Sequence, residues 1–345
     1  MNLADLHKQI TVLLNTVDFS VLWRGFAPCK FALYTDTECY FDGAYIEKPA
    51  AFVANTSTEF QGEMIAIWKV DNVIDMTVFA SKLAHEMFHA YQKTMGETRY
   101  PDEMEALQSY SILPGNLSEK HRENQLLSAL HTEFSPKVFL QFLAIRCRRQ
   151  QLYPYEYAYE AAVEQIEGTA NYVELEVLKQ LDEVKYQEKL AAMLTAVTNP
   201  ENLLPVRVIS YDIGALVFLL LGQHRLADFE TFSGVPATVS MLEGIEPFTE
   251  PFTVLPEVSA AVTNYQNRTG EIITAALEKA EVLVTGENLR LISANIYDAR
   301  RKDAYIVSTS FVLYECRGER IPLTGDGDFV IEMGEGWQIK NIYRG

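Results

Sequence analysis

The sequence contains few cysteines, and this shortage excludes two kinds of site. Four cysteines occur among the 345 residues, and they are Cys29, Cys39, Cys147 and Cys316. They are far apart and form no C-x-x-C pair, which argues against a disulfide framework and against a cysteine zinc site. Reduced thiols in a reducing compartment are the expectation.

Basic residues are also scarce. The chain has 29 lysines and arginines against 47 acidic residues, a net charge of −18. Such an acidic chain has no general attraction for nucleic acid or for an anionic membrane, so neither is expected as a partner. The only dense basic cluster is Arg146, Arg148 and Arg149. We interpret it as the last turn of a helix, where cations are favoured.

Long apolar runs are missing as well. The longest, residues 215–221, is too short to span a bilayer. The N-terminal segment reads as an amphipathic helix and has none of the marks of a secretory signal. The expectation is therefore a cytoplasmic protein without a membrane partner.

The pattern of apolar residues changes twice along the chain. Short β-prone runs separated by turn residues predict a small sheet over about 29–70. Helical periodicity follows, with prolines between the segments. The predicted helices lie near 74–96, 103–113, 119–131, 136–151, 155–183, 186–197 and 210–222.

The last third of the sequence differs from the helical region. Residues 225–281 are rich in proline at first and predict a connecting segment with one or two helices. Residues 282–345 alternate strand-like runs with turns, which predicts a small antiparallel β domain. The predicted fold class is α+β, with a first domain over 1–224, the helical and connecting segment over 225–281, and the β domain over 282–345.

Two histidines carry the strongest functional signal. His85-Glu86-Met87-Phe88-His89 is an H-E-x-x-H motif in a segment without proline or glycine. On a helix, positions i and i+4 share one face, so both imidazoles can bind one zinc ion. Glu86 can then act as the base on a water in the open coordination position. The alternative is a chance pair of partly buried helix histidines.

A zinc site of this type needs a third protein ligand. Gln92 and Met95 stand where a metzincin would have its glycine and third histidine, which excludes that class. The candidate is Glu167, in the run Glu167-Gly168-Thr169-Ala170, where small residues would let its helix approach the first. Glu164, one turn earlier, is the alternative ligand, and an acidic helix without any metal is another.

Three motifs in this order resemble the gluzincin zinc peptidases, particularly the thermolysin-like catalytic domain of the gluzincin aminopeptidases. They are the histidine motif, Glu167-Gly-x-Ala, and Tyr211-Asp-Ile-Gly214-Ala, and the resemblance covers roughly residues 60–222. It implies a zincin-like core, in which a small sheet accompanies a helical bundle. It also implies that Glu167 is the third zinc ligand and that Tyr211 hydrogen-bonds the tetrahedral intermediate.

The sequence departs from that family at two places. His89 and Glu167 are 78 residues apart, which implies inserted helices. The segment Gly62-Glu63-Met64-Ile65-Ala66 lacks the Glu-Asn pair that captures a free amino terminus in the aminopeptidases. That strand is still expected to bind an extended peptide by edge pairing.

Together these features predict a zinc metallopeptidase that acts on a peptide or protein substrate. Asn171, one turn after Glu167, is a candidate to orient a ligand histidine. Two other functions stay open at this point. The chain can be a regulatory or sensor protein that binds or cuts one specific partner with a zincin core, or an inactive zincin scaffold.

Overall fold

The computed structural model describes residues 2–71 and 75–345, and its helices follow the sequence prediction closely. The helix predicted over 74–96 runs from Met76 to Thr94, and residue 74 lies outside the described residues. The helices are α1 (Leu3–Leu14), α2 (Met76–Thr94), α3 (Glu103–Ser109), α4 (Pro114–Thr132), α5 (Pro136–Leu152), α6 (Pro154–Val163), α7 (Thr169–Leu181), α8 (Glu183–Val197), α9 (Val206–His224), α10 (Ala237–Ser240) and α11 (Pro256–Lys279). Short 3₁₀ turns cover Phe19–Val21 and Pro200–Leu203, and a π-helical turn, Glu164–Gly168, joins α6 to α7.

The strands lie in the two regions where the sequence predicts them. They are β1 (Phe31–Tyr34), β2 (Glu38–Phe41), β3 (Ala44–Glu47), β4 (Thr56–Phe60), β5 (Glu63–Lys69), β6 (Val282–Ala294), β7 (Arg300–Lys302), β8 (Tyr305–Cys316), β9 (Glu319–Met333) and β10 (Gln338–Arg344). The fold is therefore mixed α+β, with a small N-terminal sheet and a separate C-terminal antiparallel β domain.

Proline positions explain one shift in the helix boundaries. The helix expected from residue 119 already begins at Pro114. Proline suits the first position of a helix because its missing N–H would have no partner there. Pro136 and Pro256 open α5 and α11 in the same way.

The chain folds into two compact units, each assembled from three separate segments. Unit 1 comprises Met1–Tyr100, Ala161–Ala196 and Ser210–Glu243. Unit 2 comprises Pro101–Glu160, Val197–Ile209 and Gly244–Gly345. The division of the chain at residues 224 and 281 stays a prediction.

The sheet of unit 1 has the strand order β3-β2-β1-β5-β4. Strand β5 pairs with β1 in parallel and with β4 antiparallel, so both of its edges are occupied. The expectation that the strand starting at Gly62-Glu63 offers a free edge to a peptide is therefore wrong. In this sheet the strand beyond β5, at the edge, is β4.

The two faces of this sheet are both covered. Ala32, Tyr34 and Ile67 belong to a buried cluster on one face. Because successive side chains alternate, Trp68 points to the other face, where it packs against Phe79 of α2 at a ring distance of 5.4 Å. The sheet thereby fixes the position of α2.

An aromatic cluster packs against one side of helix α2, and helix α7 packs against another. Phe88 contacts Trp23 and Phe26 at ring distances of 4.9 and 5.2 Å. Helix α7 packs along α2 on another side. This packing leaves little freedom to the segment of α2 that carries the two motif histidines.

Helix α9 is the most apolar helix among the described residues. It is the one described helix that is long and apolar enough to cross a membrane, and 78% of that stretch is buried inside the protein. Core helices of soluble proteins have the same length and composition, so the property is weak evidence for a membrane span.

Unit 2 buries charge between its helices. Lys120 and Glu123 of α4, Arg149 of α5 and Glu160 of α6 have side chains that are at most 1% exposed. Arg149 bridges Glu123 and Glu160 at 2.8 and 2.6 Å, and Lys120 contacts Glu160 at 2.7 Å. The helix-end interpretation of the arginine cluster misses this burial, because the arginines bind carboxylates distant in sequence.

The C-terminal strands close into a ring. Strand β6 pairs with β10, β10 with β9, β9 with β8, and β8 again with β6, while β7 extends β8. Apolar side chains such as Leu291, Phe329 and Ile342 fill its interior. Helix α11 packs on the outside through Ile273 and Ala276.

Candidate metal centre

The first two candidate ligands project from the middle of α2. Asp75 caps this helix by accepting hydrogen bonds from the backbone N–H groups of Thr77 and Val78. His85 and His89 lie one turn apart, and their rings are 4.7 Å apart at an interplanar angle of 78°. The two Nε2 atoms are separated by 3.0 Å, so both rings aim at the same point.

The third candidate ligand comes from the π-helical turn before α7. Glu167 Oε2 lies 3.2 Å from His89 Nε2 and 3.8 Å from His85 Nε2. These residues form a group that can hold a metal ion, and the group contains Glu167 and not Glu164. Glu164 lies in the same turn with no exposed surface. Such π-helical turns occur frequently at functional sites.

The spacing of the three donor atoms fits a tetrahedral ion. Ligands at about 2.0–2.2 Å from a tetrahedral zinc ion lie about 3.3–3.6 Å from one another. The observed separations of 3.0, 3.2 and 3.8 Å bracket that range. Two imidazoles and a carboxylate fill three positions of such an ion and leave the fourth open.

A buried glutamine orients the second histidine. Gln92 is 1% exposed, and its Oε1 accepts a hydrogen bond from His89 Nδ1 at 2.8 Å. Its Nε2 donates to the Ile166 carbonyl and to Thr169 Oγ1, both at 3.0 Å. Because a carbonyl only accepts, this amide has one possible orientation, and His89 must carry its proton on Nδ1. The Nε2 lone pair of His89 is then available to a metal ion.

A carboxylate accompanies the first histidine. Glu174 Oε2 lies 3.4 Å from His85 Nδ1, an ion-pair contact without the alignment of a good hydrogen bond. Glu174 also pairs with Lys189. Burial raises the pKa of Glu174, but Lys189 and His85 outweigh burial and lower it to about 2. Among the described residues the side chain of Asn171 makes no hydrogen bond, so the hypothesis that it orients a ligand histidine is wrong.

Negative charge surrounds the two histidines. Burial lowers the pKa of His85, but the contacts with Glu167 and Glu174 and the charge of Glu86 outweigh burial and raise it to about 10. The same field that favours a proton on His85 favours a metal cation in its place.

Glu86, the predicted base, is half-buried on α2 and acts electrostatically on His85. In the part of the chain that the structure describes, its carboxylate makes no hydrogen bond and no salt bridge. A carboxylate that makes no such interactions is available to accept a proton from a water molecule.

Lys93 and Tyr100 are two further polar residues near the centre. Lys93 Nζ donates to the carbonyl and the hydroxyl of Ser57 at 2.7 and 2.9 Å, which joins α2 to strand β4. Burial, followed by Glu97 and Glu167, raises the pKa of Tyr100, so this half-exposed phenol is within electrostatic reach of Glu167.

Tyr211, the predicted partner of the reaction intermediate, lies in α9 and is 9% exposed. The charges of Lys189 and Glu174 act on the next residue, Asp212, whose pKa burial raises to about 6. This part of α9 therefore lies on the Glu174 side of the centre, and the catalytic role of Tyr211 stays a prediction.

The structure thus brings His85, His89 and Glu167 together and adds residues that the sequence analysis did not assign. The contact of Gln92 with His89 could be predicted from the sequence, since Gln92 follows His89 by three positions on the same helix face. Glu174 follows Glu167 by two helical turns, a spacing that many exposed glutamates share. In comparisons with models of protein families, with curated proteins and with solved structures, nothing matched this chain.

Proposed function

We propose that this protein is a zinc-dependent hydrolase of the gluzincin type that cleaves peptide bonds. The proposal rests on the donor atoms of His85, His89 and Glu167, which converge at tetrahedral spacing. The nearby carboxylate of Glu86 makes no hydrogen bond and no salt bridge among the described residues. Two histidines and one glutamate are a ligand set of catalytic zinc sites in hydrolases. A purely structural zinc site is normally closed by four protein ligands and needs no base.

A zinc ion bound there supplies Lewis-acid chemistry toward a carbonyl and an attacking water. Glu86 takes the proton of that water on its carboxylate and passes it to the leaving amine. Gln92 holds the His89 imidazole in the orientation that binding needs, and Glu174 places a carboxylate beside His85 Nδ1. We propose that the phenol of Tyr211 hydrogen-bonds the oxyanion, an interaction worth about 3–4 kcal/mol in comparable sites.

Strand β4 supports a peptide as substrate. In its sheet it pairs with β5 on one side and ends the strand order on the other. Lys93 ties β4 to the helix that carries both histidines. An extended peptide that pairs with the free edge of β4 would therefore run along the centre.

The ligand assignment is tested by the metal content of purified variants. We expect one zinc ion per chain in the wild type and a loss of zinc in His89→Ala and Glu167→Ala, because each removes a ligand. Glu176→Gln, on the same helix as Glu174 but outside the ligand group, is the matched control and should keep its zinc. Full zinc occupancy in Glu167→Ala would show that the assignment is wrong.

The reaction is tested by digestion of a peptide library with the zinc-loaded protein. Glu86→Gln should keep zinc and fold but lose activity by a factor of about 100 or more, because the amide cannot accept the proton. Cleavage of the library at equal rates by wild type and Glu86→Gln would remove Glu86 from the mechanism. Failure of the wild type on the library, together with cleavage of a single protein in a cell extract, would favour the regulatory alternative.

A further inference from the structure

Unit 2 contains a cavity that has no part in the metal centre. Its volume is about 100 Å³, and it lies among α3, the start of α9, α11 and strand β7. One side is apolar and includes Met104, Leu107 and Leu204. The rings of Tyr110, Tyr159 and Tyr265 complete the wall.

The charged residues of this cavity are mostly cationic. Three arginines and one glutamate line it, in a chain whose net charge is −18. Glu103 is already engaged, since its Oε1 lies 3.1 Å from Arg207 Nε and its Oε2 accepts a hydrogen bond from the Tyr159 hydroxyl. The charges of Arg300 and Arg301 are therefore not balanced by the one glutamate that lines the cavity.

Neither of these two arginines has an acidic partner among the described residues. Arg301 donates to the carbonyl oxygens of Asp303 and Gln108, which accept hydrogen bonds without neutralising its charge. Arg300 stacks over the ring of Tyr265 at 5.7 Å. Its Nε is buried and, within the described part of the chain, makes no hydrogen bond.

An unpaired buried donor of this kind costs free energy unless a partner satisfies it. Forty-seven acidic side chains are present in the protein, yet none lies within salt-bridge distance of Arg300 or Arg301 in the described residues. A guanidinium group presents a planar fork of donors that matches a carboxylate. The aromatic and apolar wall suits a hydrocarbon body.

We propose that this cavity binds a small organic carboxylate, whose head group contacts Arg300 and Arg301 and whose short apolar body lies among the tyrosine rings. The volume of about 100 Å³ is well below the roughly 300–1,000 Å³ of pockets for drug-sized ligands, which limits the body to a few carbon atoms. Every lining residue belongs to unit 2. The proposed metal ligands belong to unit 1, so we expect the carboxylate to bind whether or not the metal centre is intact.

Titration calorimetry of the intact protein with butyrate tests the proposal, with sodium chloride used to keep the ionic strength constant. We expect saturable binding of one butyrate per chain, and about tenfold or greater weakening in Arg300→Gln, because a charge-assisted hydrogen bond is lost. Arg320→Gln, which removes an exposed arginine of the β domain, should bind as the wild type does. Inorganic phosphate should bind more weakly than butyrate, since it has no apolar body.

Three results would overturn the proposal. They are the absence of saturable butyrate binding to the wild type, equal affinities in Arg300→Gln and wild type, and phosphate binding at least as tight as that of butyrate. Arg301→Gln, at a more exposed position, repeats the test should Arg300→Gln not fold. Glu167→Ala should retain butyrate affinity, which separates this site from the proposed hydrolase function.

Discussion

Gln92 makes three hydrogen bonds, and they link the second histidine to the turn that carries the third ligand. We expect Gln92→Leu to weaken zinc binding about 10- to 100-fold, because His89 loses the partner that fixes its tautomer. The buried Ile166 carbonyl and Thr169 hydroxyl also lose a hydrogen-bond donor, which should cost about 1–3 kcal/mol of stability. Chelator competition and urea unfolding measure the two effects.

Gln92→Glu separates orientation from packing, since it keeps an acceptor for His89 Nδ1 and loses the donors to Ile166 and Thr169. Its zinc affinity should lie between those of the wild type and Gln92→Leu. Gln187→Leu, on the exposed side of α8, is the control for the leucine substitution. If Gln92→Leu were destabilised yet bound zinc with unchanged affinity, the role of Gln92 would be packing alone.

At the level of single residues, the sequence predicts only part of the candidate metal centre. His85 and His89 follow from spacing, because a helix places i and i+4 side by side. Glu167 was expected from the Glu-Gly-x-Ala run and the family resemblance, and the structure brings it to the two histidines. Glu174 does not follow, since its partnership with His85 depends on how α7 packs along α2. Tertiary packing of that kind leaves no periodic signal in the sequence.

At the scale of elements, two glycines bring α9 against the π-helical turn. A Cβ atom at Gly168 would lie 2.6 Å from the Gly214 Cα, and one at Gly214 would lie 2.8 Å from the Glu164 carbonyl oxygen. Gly168 therefore makes room for α9, and the expectation that it makes room for the histidine-bearing helix is wrong. Gly214 in turn brings α9 close to the turn that carries Glu167.

The close contact at Gly214 predicts the effect of adding one methyl group at that position. Gly214→Ala should destabilise the protein by about 1–3 kcal/mol, because both neighbours are backbone atoms that cannot move aside cheaply. It should also weaken zinc binding, since Glu167 lies in the displaced turn. Thermal unfolding and chelator competition measure these changes.

Gly222, further along the same helix, provides the control. The atoms nearest to its added Cβ are side-chain atoms at 3.7 Å, which is ordinary contact. Gly222→Ala should therefore be neutral or stabilise the protein by up to about 1 kcal/mol, because alanine is the better helix former. Equal effects of the two substitutions would contradict the close contact between α9 and the turn.

Elements differ in how well the sequence predicts them. The sequence predicts an antiparallel β domain in the region where its strands lie, whereas the closure of β6 onto β8 depends on pairing between distant strands. Helix α4 shows why charge patterns mislead. It buries Lys120, Glu123 and Asn124, so its polar residues do not mark a solvated face. A sequence shows which residues are charged, but it does not show which carboxylate will form a buried ion pair with which guanidinium group.

At the scale of the whole molecule, the buried charges make stability depend on pH. Burial raises the pKa of Glu160, but Arg149 and Lys120 outweigh burial and lower it to about 2. Because the folded pKa lies below the ordinary value of 4.5, Glu160 stabilises the fold above about pH 4.5. That contribution is lost progressively as the pH falls toward 2.

Glu160→Gln should therefore lower the free energy of unfolding at pH 7 by about 3–5 kcal/mol, because Arg149 and Lys120 remain buried without their shared carboxylate. The difference from the wild type should stay constant between pH 7 and pH 5 and shrink below pH 4.5. Urea unfolding at each pH measures it, with the exposed Glu188→Gln as control. A difference that grows on acidification would contradict the lowered pKa.

The interleaving of the two units along the chain has a consequence for biosynthesis. The histidines are translated in the first segment of unit 1, and Glu167 follows only after a whole segment of unit 2, Pro101–Glu160, has been translated. At roughly 5–20 residues per second, the ligand set stays incomplete for several seconds. If the chain binds zinc as proposed, an ion delivered before that moment would meet two histidines without their carboxylate, so we expect metal loading late in synthesis or after release.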